Sequence, residues 1–268
     1  MKYIFIYEMS RVGENPPERA ERRYRAPALD KGLEILEYLA GQRLPLTQLE
    51  IAEGLRRSSG EIYRMLLCLE ERGYLAREAE SGKFRLTLRL YELGHAHSPT
   101  MLLRRAARMP MEALAEKIGQ ACHLSVPYGT SLLVLIECMP SRRICLAVGE
   151  GTVLPMTMTT SGKLMLSRMD GENAKALLET DAEYTAMSEA KRRAFLKQLE
   201  SNRGTELLQS ESGLRNGITD IAIPVGIEGT DAFAVLAISC LPDTDLKPAC
   251  AALRRCATQI NRNLGIAT

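Results

Sequence analysis

The chain lacks several features that mark particular classes of protein. No apolar run approaches the roughly 20 residues that cross a bilayer, and the opening segment MKYIFIY is too short for the hydrophobic region of a signal peptide. Charge of one sign is also missing, because the net charge is only +2 over 268 residues. We therefore expect a cytoplasmic protein with no membrane partner, in which any binding to nucleic acid depends on local basic patches.

Cysteine and histidine patterns typical of metal sites or enzymes are missing too. Seven scattered cysteines suit a reducing compartment better than a disulfide framework. The three histidines, His95, His97 and His123, belong to no nucleophile or metal motif, and there is no phosphate-loop or dinucleotide fingerprint. Cys122 and His123 are adjacent on a predicted strand and should point to opposite faces. We expect no catalytic residue, no metal site and no cofactor.

Two short helices joined by a tight break are the main feature that is present. Thr47 can cap the first helix, and Glu50 three residues later completes a capping box. The second helix, about Ser59–Glu71, carries apolar residues at helical spacing from Ile62 to Leu69, which define one buried face. This layout is typical of a helix-turn-helix that enters a major groove, although a helical hairpin in an ordinary core has the same pattern.

The residues that follow predict a β-hairpin. Gly73 suits the end of the second helix, and strands over residues 74–77 and 83–88 flank a turn-rich connection. A helix-turn-helix followed directly by a hairpin is the winged-helix arrangement. Lys83 and Arg85 lie near the tip of this wing, where they could contact phosphates.

An earlier helix and an N-terminal arm precede this motif. The helix is predicted over Pro27–Ala40. A charged run over residues 18–25 indicates that residues 1–25 form either a solvated arm or an arm whose arginines touch the DNA backbone or minor groove. The predicted core face of the helix consists of Leu29, Leu33, Ile35, Leu36 and Leu39.

The second half of the chain reads as mixed helices and strands. After a joint at about residues 97–99, a long amphipathic helix runs over residues 101–117, and Pro110 should kink or divide it. Strand pairs with tight turns, and helices kept apart from them, predict an antiparallel sheet with helical layers. The whole chain is therefore of the α+β class.

One loop in this half carries chemistry. A hydroxyl-rich segment over residues 149–163 enters a helix, whose first N–H groups are unpaired and carry partial positive charge. Such a helix start is suited to a carboxylate or phosphate, and Gly162 would let a ligand approach the backbone closely. An ordinary N-cap followed by a glycine has the same sequence pattern.

Three segments resemble the N-terminal half of IclR-type bacterial transcriptional regulators: ALDKGLEILE over residues 28–37, LPLT over residues 44–47 and GYL over residues 73–75. Lys31 stands where that family usually has Arg, and Arg64 falls on its recognition-helix Arg. The resemblance extends over roughly residues 26–265. It implies a winged helix-turn-helix that binds double-stranded operator DNA and a C-terminal GAF-like effector-binding domain.

The chain departs from the family where the recognition helix begins. The family often has G-L-P-x-S-T there, whereas residues 56–61 read RRSSGE, so the operator sequence cannot be carried over. The predicted DNA contacts are Arg56, Arg57, Ser58, Ser59, Glu61, Tyr63, Arg64, Lys83 and Arg85.

The loop over residues 149–163 also resembles a family motif, G-x-x-x-P-x-x-x-T-A-x-G-K. Pro155, Thr159, Gly162 and Lys163 match it, and Thr160 replaces the usual Ala. The family places its effector pocket between this loop and the concave face of the sheet, and Asp220 stands where a pocket-lining Cys is common. The predicted effector contacts are Thr159, Thr160, Ser161, Gly162, Asp220, Ile221, Ser239 and Cys240.

The resemblance implies a transcriptional regulator whose operator affinity is modulated by a small organic acid, acting as a homodimer or a dimer of dimers. We expect an arm over residues 1–25, a DNA-binding domain over 26–98, a linker helix over 99–118 and an effector-binding domain over 119–268. Two alternatives stay open: a redox- or zinc-sensing regulator that uses Cys122, Cys138 or Cys145, and an enzyme carrying a winged-helix domain.

Overall fold

A computed structural model describes residues 4–5, 26–96, 100–141 and 145–266 of the chain. These residues form two compact units, one within residues 26–96 and one within residues 100–266, to which the strand at residues 4–5 also belongs. Each helix within these ranges is too short or too polar to span a bilayer.

The second unit opens with one short strand from near the N-terminus, β1 (Ile4–Phe5). The first unit then contains four helices and a hairpin. In chain order they are α1 (Pro27–Ala40), α2 (Gln48–Gly54), α3 (Ser59–Glu71), β2 (Leu75–Arg77), β3 (Phe84–Leu86) and α4 (Arg89–Ala96).

The rest of the second unit alternates between strands and helices. Its elements in chain order are α5 (Thr100–Ile118), β4 (Cys122–Tyr128), β5 (Ser131–Cys138), β6 (Leu146–Ala147), β7 (Val153–Pro155), α6 (Thr160–Arg168), α7 (Gly171–Glu179), α8 (Ala182–Ala186), α9 (Glu189–Ser201), β8 (Leu208–Glu211), β9 (Thr219–Val225), β10 (Ala234–Cys240) and α10 (Leu246–Asn263).

The first unit is a winged helix-turn-helix, as predicted. The predicted capping box of Thr47 and Glu50 forms and starts α2, and the structure shows a second one, of Ser58 and Glu61, at the start of α3. The hairpin β2–β3 gains a third partner because Leu46 exchanges two backbone hydrogen bonds with Phe84. The small core of the first unit consists of Ile35, Leu36, Leu39, Ile51, Ala52, Ile62, Leu66, Leu75 and Phe84.

Two residues of the predicted α1 core face lie outside this core. Leu29 is 62% exposed and Leu33 is 46% exposed, whereas Ile35, Leu36 and Leu39 are buried. The prediction was wrong for the first two because α1 packs on α2 and α3 through its C-terminal half. The N-terminal half of α1 therefore keeps an apolar face on the surface of this unit.

The second unit is built on a six-stranded antiparallel sheet in the order β7-β5-β4-β10-β9-β8. One face packs against α5 and α10, and the other face against α6 and the helices that follow it. Strand alternation sends Ile221, Ile238 and Cys240 into the first of these cores. Separately, β1 pairs in parallel with β6.

Pro110 does not divide α5, and the carbonyl oxygen that it leaves without a donor is bonded by another helix. Proline has no N–H to donate to the carbonyl oxygen of Ala106, four residues earlier. The side-chain amide of Asn263 on α10 donates to that oxygen instead, at 2.8 Å. This bond fixes α10 against α5, and α5 is an integral part of the second unit's core.

Candidate DNA-binding surface and effector cavity

The turn between α2 and α3 has an unusual backbone. Arg56 has a φ of +53° and is the one residue other than glycine with positive φ among those the structure describes. The Arg56 N–H donates to the Glu53 carbonyl and the Arg57 N–H to the Ala52 carbonyl, which is the hydrogen-bond pattern that closes a helix C-terminus. The Arg56 side chain is exposed.

Arg57 and Glu61 are engaged within the first unit. The Arg57 guanidinium makes two hydrogen bonds to the Glu34 carboxylate of α1, at 2.8 and 3.0 Å. Glu61 accepts bonds from the Ser58 amide and hydroxyl and from the Lys31 ammonium, and these contacts lower the pKa of Glu61 to about 2, with the Ser58 amide contributing most. Ser58 and Glu61 therefore hold the start of α3, and Arg57 ties the turn to α1.

The exposed face of α3 carries the other predicted contacts. Tyr63 and Arg64 are both exposed on it, while the carbonyl of Ser59 accepts a bond from the Gln48 side chain at 3.0 Å. This face is polar and contains no ion pair for Arg64 among the residues the structure describes. Tyr63 and Arg64 therefore lie on the surface of the first unit.

The wing presents its cations beside an acidic tip. Arg85 is exposed in the middle of β3, opposite Ala76. Lys83, half-buried, directly precedes β3, and its charge contributes to lowering the pKa of Glu50, after the larger effect of the Thr47 hydrogen bonds. At the turn itself, Ser81 donates to the carboxylate of Glu78 at 2.6 Å. Lys83 and Arg85 are thus set back from the tip.

A small cavity lies between α6 and the sheet of the second unit. It encloses about 20 Å³, which is room for about one water molecule. Its polar lining combines the start of α6, the end of two strands and one histidine. The lining residues are His123, Val148, Leu154, Thr159, Thr160, Ser161, Ser212, Leu214, Asp220, Ala237 and Ser239.

The start of α6 leaves two amide groups unpaired. The hydroxyl of Thr159 accepts from the Gly162 N–H at 3.1 Å, and the Lys163 N–H bonds the Thr159 carbonyl. Within the part of the chain that the structure describes, the N–H groups of Thr160 and Ser161 have no hydrogen-bond acceptor. No acidic residue occupies the first turn, so the positive end of this helix remains open toward the cavity.

Asp220 is the charged group of the cavity. Its carboxylate accepts a 2.7 Å bond from the Ser239 hydroxyl, directly across the β9–β10 pair. Burial raises the pKa of Asp220, although the hydrogen bonds from Ser239 and Ser212 and the charge of Lys163 oppose this shift. Burial in turn lowers the pKa of Lys163.

The structure corrects three of the predicted effector contacts. The side chains of Ile221 and Cys240 point to the opposite face of the sheet, into the core against α5 and α10, because they alternate with Asp220 and Ser239. Gly162 does not make room for a ligand: a Cβ there would overlap the backbone of Met156. Its role is to let the loop before α6 pack against the helix.

Two family models match this chain. The family model described as bacterial transcriptional regulator IclR C-terminal matches residues 96–262, and the model described as IclR helix-turn-helix domain matches residues 28–79. The chain belongs to the IclR family. It is therefore a DNA-binding transcriptional regulator, as the resemblance implied.

Relatives in the IclR family are similar over most of the chain. The regulator XynR of Escherichia coli is 25% identical over 89% of this chain and 97% of its own length. The regulator KdgR of the same organism is 29% identical over 66% of this chain and 68% of its own length. An IclR homolog from Microbacterium hydrocarbonoxydans, complexed with 4-hydroxybenzoate, is 21% identical with a TM-score of 0.74 over 89% of this chain and 99% of its own, which confirms the fold.

The cysteines named in the redox and zinc alternative lie apart from the cavity of this IclR-family chain. Cys122 and Cys138 are directly opposite each other on β4 and β5. A hydrogen bond between the two thiol groups raises the pKa of Cys122 and lowers that of Cys138. All seven cysteines are free thiols. No three potential metal ligands cluster within residues 26–96, 100–141 or 145–266.

Sequence reasoning missed His123 and Ser212 as cavity residues. Ser212 follows β8, a strand that the sequence did not predict. Cys122 joins the core against α5 and α10 while His123 faces the cavity, so the predicted opposition of these two neighbours is confirmed. Alternation alone puts His123 on the face opposite Cys122, but only the paired sheet shows that this face borders the cavity.

Proposed function

We propose that this IclR-family protein binds operator DNA through its first unit and responds to a small organic acid bound in the cavity of the second unit. The single observation that carries the effector half of this proposal is the open start of α6, where two unpaired amide groups border a polar cavity. The protein would act in the cytoplasm, where double-stranded operator DNA is found.

The DNA-binding half rests on the exposed face of α3. In this proposal α3 enters a major groove, with Tyr63 and Arg64 reaching bases and Arg56, Lys83 and Arg85 reaching phosphates. Ser58, Ser59 and Glu61 shape the start of the helix. A DNA contact by Arg57 would compete with its two bonds to Glu34, so its main contribution is to hold the turn.

Pairing of two chains is supported by the apolar surface of α1. Leu29 and Leu33 are exposed in the first unit, and leaving such side chains in water is unfavourable. We propose that a second copy covers them, so that two α3 helices meet successive major grooves. Residues 26–98 would be the DNA-binding domain, residues 99–118 the linker helix and residues 119–268 the effector domain.

The effector would bring a carboxylate to the amides of Thr160 and Ser161. Hydroxyl groups on the same molecule could donate to Asp220, while Val148 and Leu154 would contact its carbon skeleton. The similar Microbacterium hydrocarbonoxydans protein was crystallised with 4-hydroxybenzoate, an acid of this type. Because the cavity holds only about 20 Å³, binding requires its walls to move apart, and this movement supplies the two states that an effector can bias.

A thermal-shift screen tests the effector. Purified protein is heated with 4-hydroxybenzoate and with other aromatic, sugar and short-chain acids, each beside its neutral amide. An acid that binds the native state raises the melting temperature by mass action. We expect at least one acid to do so while its amide does not, and the Asp220→Asn variant to alter which hydroxylated acids bind. A chain that folds but responds to no acid contradicts the proposal.

Operator binding is tested with DNA selected by the purified protein from a random-sequence pool. Arg64→Ala should weaken binding by about 5- to 150-fold, the range expected for one specific base contact. Arg193→Ala is the matched control, because Arg193 is an exposed arginine on α9 of the other unit. Equal affinity of a folded Arg64→Ala variant and the control would remove Arg64 from the interface.

A further inference from the structure

His123 is buried, polar and without a partner. It is 7% exposed and faces the cavity between α6 and the sheet. No hydrogen bond joins either ring nitrogen to another of the residues that the structure describes. Its nitrogens are not among the fully enclosed side-chain atoms that lack a partner, so the ring edge opens onto the cavity, where a group of an effector could reach it.

The charged side chains near His123 determine which kind of effector group could bind beside it. Asp220 carries the negative charge of the cavity, and the Lys163 ammonium acts on it from α6. Glu137 lies directly across from His123 on β5, but its carboxylate is occupied by the N–H groups of Val148 and Gly149, at 2.6 and 3.0 Å. Lys163 is the one cation among these three groups, and the other two are carboxyl groups.

A carboxylate entering this space finds no free cation. Hydrogen bonds from Thr160 and Ser161 would solvate it in part, but Asp220 would repel it across a cavity this small. His123 can supply the missing charge. Burial lowers the pKa of His123 to about 4, so the ring is neutral before binding at neutral pH, and a bound anion favours its protonated form.

We propose that His123 contacts the effector carboxylate and takes up one proton from solution as the acid binds. The proton goes to the free ring nitrogen, and the resulting N–H donates to a carboxylate oxygen. This inference rests on the proposed function, since it needs an acid in the cavity. It makes His123 a specificity-determining residue that selects acids over their amides.

Calorimetric titration measures the proton directly. The full-length protein is titrated with 4-hydroxybenzoate and with acetate at pH 6.5 to 8, in PIPES and in Tris, whose ionisation enthalpies differ strongly. Proton uptake makes the measured heat depend on the buffer. We expect an uptake approaching one proton per chain, and an affinity that rises up to tenfold for each unit by which the pH falls.

Variants identify the carrier of the proton. His123→Gln should lose the uptake and the pH dependence, and its preference for 4-hydroxybenzoate over 4-hydroxybenzamide should fall by at least tenfold. Cys122→Ala is the matched control, because its side chain lies on the opposite face of the same strand. Asp220→Asn should keep the uptake, since His123 remains.

The outcomes separate the two proposals. If an acid binds the wild type without proton uptake, or if Asp220→Asn alone abolishes the uptake, the role of His123 is overturned while the acid site stands. If neither 4-hydroxybenzoate nor acetate binds but other acids raise the melting temperature, the titration is repeated with those acids under the same criteria. If no acid binds a folded wild type, the proposed function itself fails, and this inference with it.

Discussion

Helices α3 and α6 are both N-capped by a side-chain hydroxyl group, that of Ser58 for α3 and that of Thr159 for α6. Three residues later α3 has Glu61, whose carboxylate bonds back to the helix start, whereas α6 has Gly162. A carboxylate at that position satisfies the donors and the partial positive charge of the helix end from within the chain. A glycine has no side-chain acceptor, so the amide groups at the start of α6 remain available to another group.

The two helix starts therefore differ in whether their amide groups are bonded within the chain. In α3 the capping box, together with the Arg57–Glu34 bonds, fixes the start of the helix. In the proposed function this would present its exposed side chains to DNA in one orientation. In α6 the open start borders a cavity that has its own carboxylate, Asp220, and an unpartnered histidine, His123. In the proposed function, the same kind of helix start serves structure in the first unit and ligand recognition in the second.

Alanine at the two first-turn glycines should produce the largest contrast. Gly162→Ala forces a methyl group into the backbone of Met156, a clash that flexible side chains cannot relieve, and we expect it to destabilise the second unit by about 3 kcal/mol or more. Gly60→Ala on α3 meets open space and should stabilise the first unit by up to about 1 kcal/mol. Urea unfolding followed by hydrogen exchange in each unit measures both changes.

A Gly162→Ala variant as stable as wild type would mean that the loop before α6 can move away from the helix. The tight packing of that loop would then be irrelevant to the cavity. A destabilised Gly60→Ala variant would instead indicate that α3 needs glycine for a reason other than space.

Acid should weaken the second unit before the first. The folded pKa of His123 is about 4 against about 6.5 when unfolded, so the unfolded chain binds more protons and stability falls as the pH drops from about 6.5 to 4, by about 3 kcal/mol in all. The pKa of Glu61 is lowered from 4.5 to about 2, so its contribution is present above pH 4.5 and is lost as the pH falls toward 2. Unit-resolved hydrogen exchange at a series of pH values checks this order.

His123→Gln should remove the loss between pH 6.5 and 4 in the second unit, and Glu61→Gln should remove the lower-pH loss in the first. If both units weaken together at one pH in the wild type, the two groups do not control acid stability separately.

Sequence patterns predicted the fold well where local signals were strong. The capping box at Thr47 predicted the start of α2, and Gly73 has the positive φ expected of a residue that follows a helix. Short strands with few residues, such as β7 and β8, carried too little periodicity to be found. Leu29 and Leu33 fit a helical stripe as well as the truly buried residues do, since periodicity identifies an apolar face but not what covers it.

The site was predictable in part. A hydroxyl-rich helix start is visible in the sequence, and Asp220 followed from the family resemblance. Ile221 and Cys240 were placed wrongly because adjacent strand residues face opposite sides, and the sequence alone does not say which side is concave. His123 could be identified only when its strand was paired with its neighbours. The sequence does not show that the ring faces the cavity or that it has no hydrogen-bond partner among the described residues.

The smallest expected effect concerns the turn before α3. Arg56 holds a positive φ that glycine adopts without cost, so Arg56→Gly should stabilise the first unit by about 1 kcal/mol. Arg72→Gly, at the end of α3 with a φ of −79°, removes the same charge without relieving strain and should destabilise it slightly. If Arg56 contacts a phosphate, its loss should also lower the slope of log affinity against log salt by about 0.9. A more stable variant with an unchanged slope would show that Arg56 shapes the turn without touching DNA, so that operator binding rests on α3 and the wing.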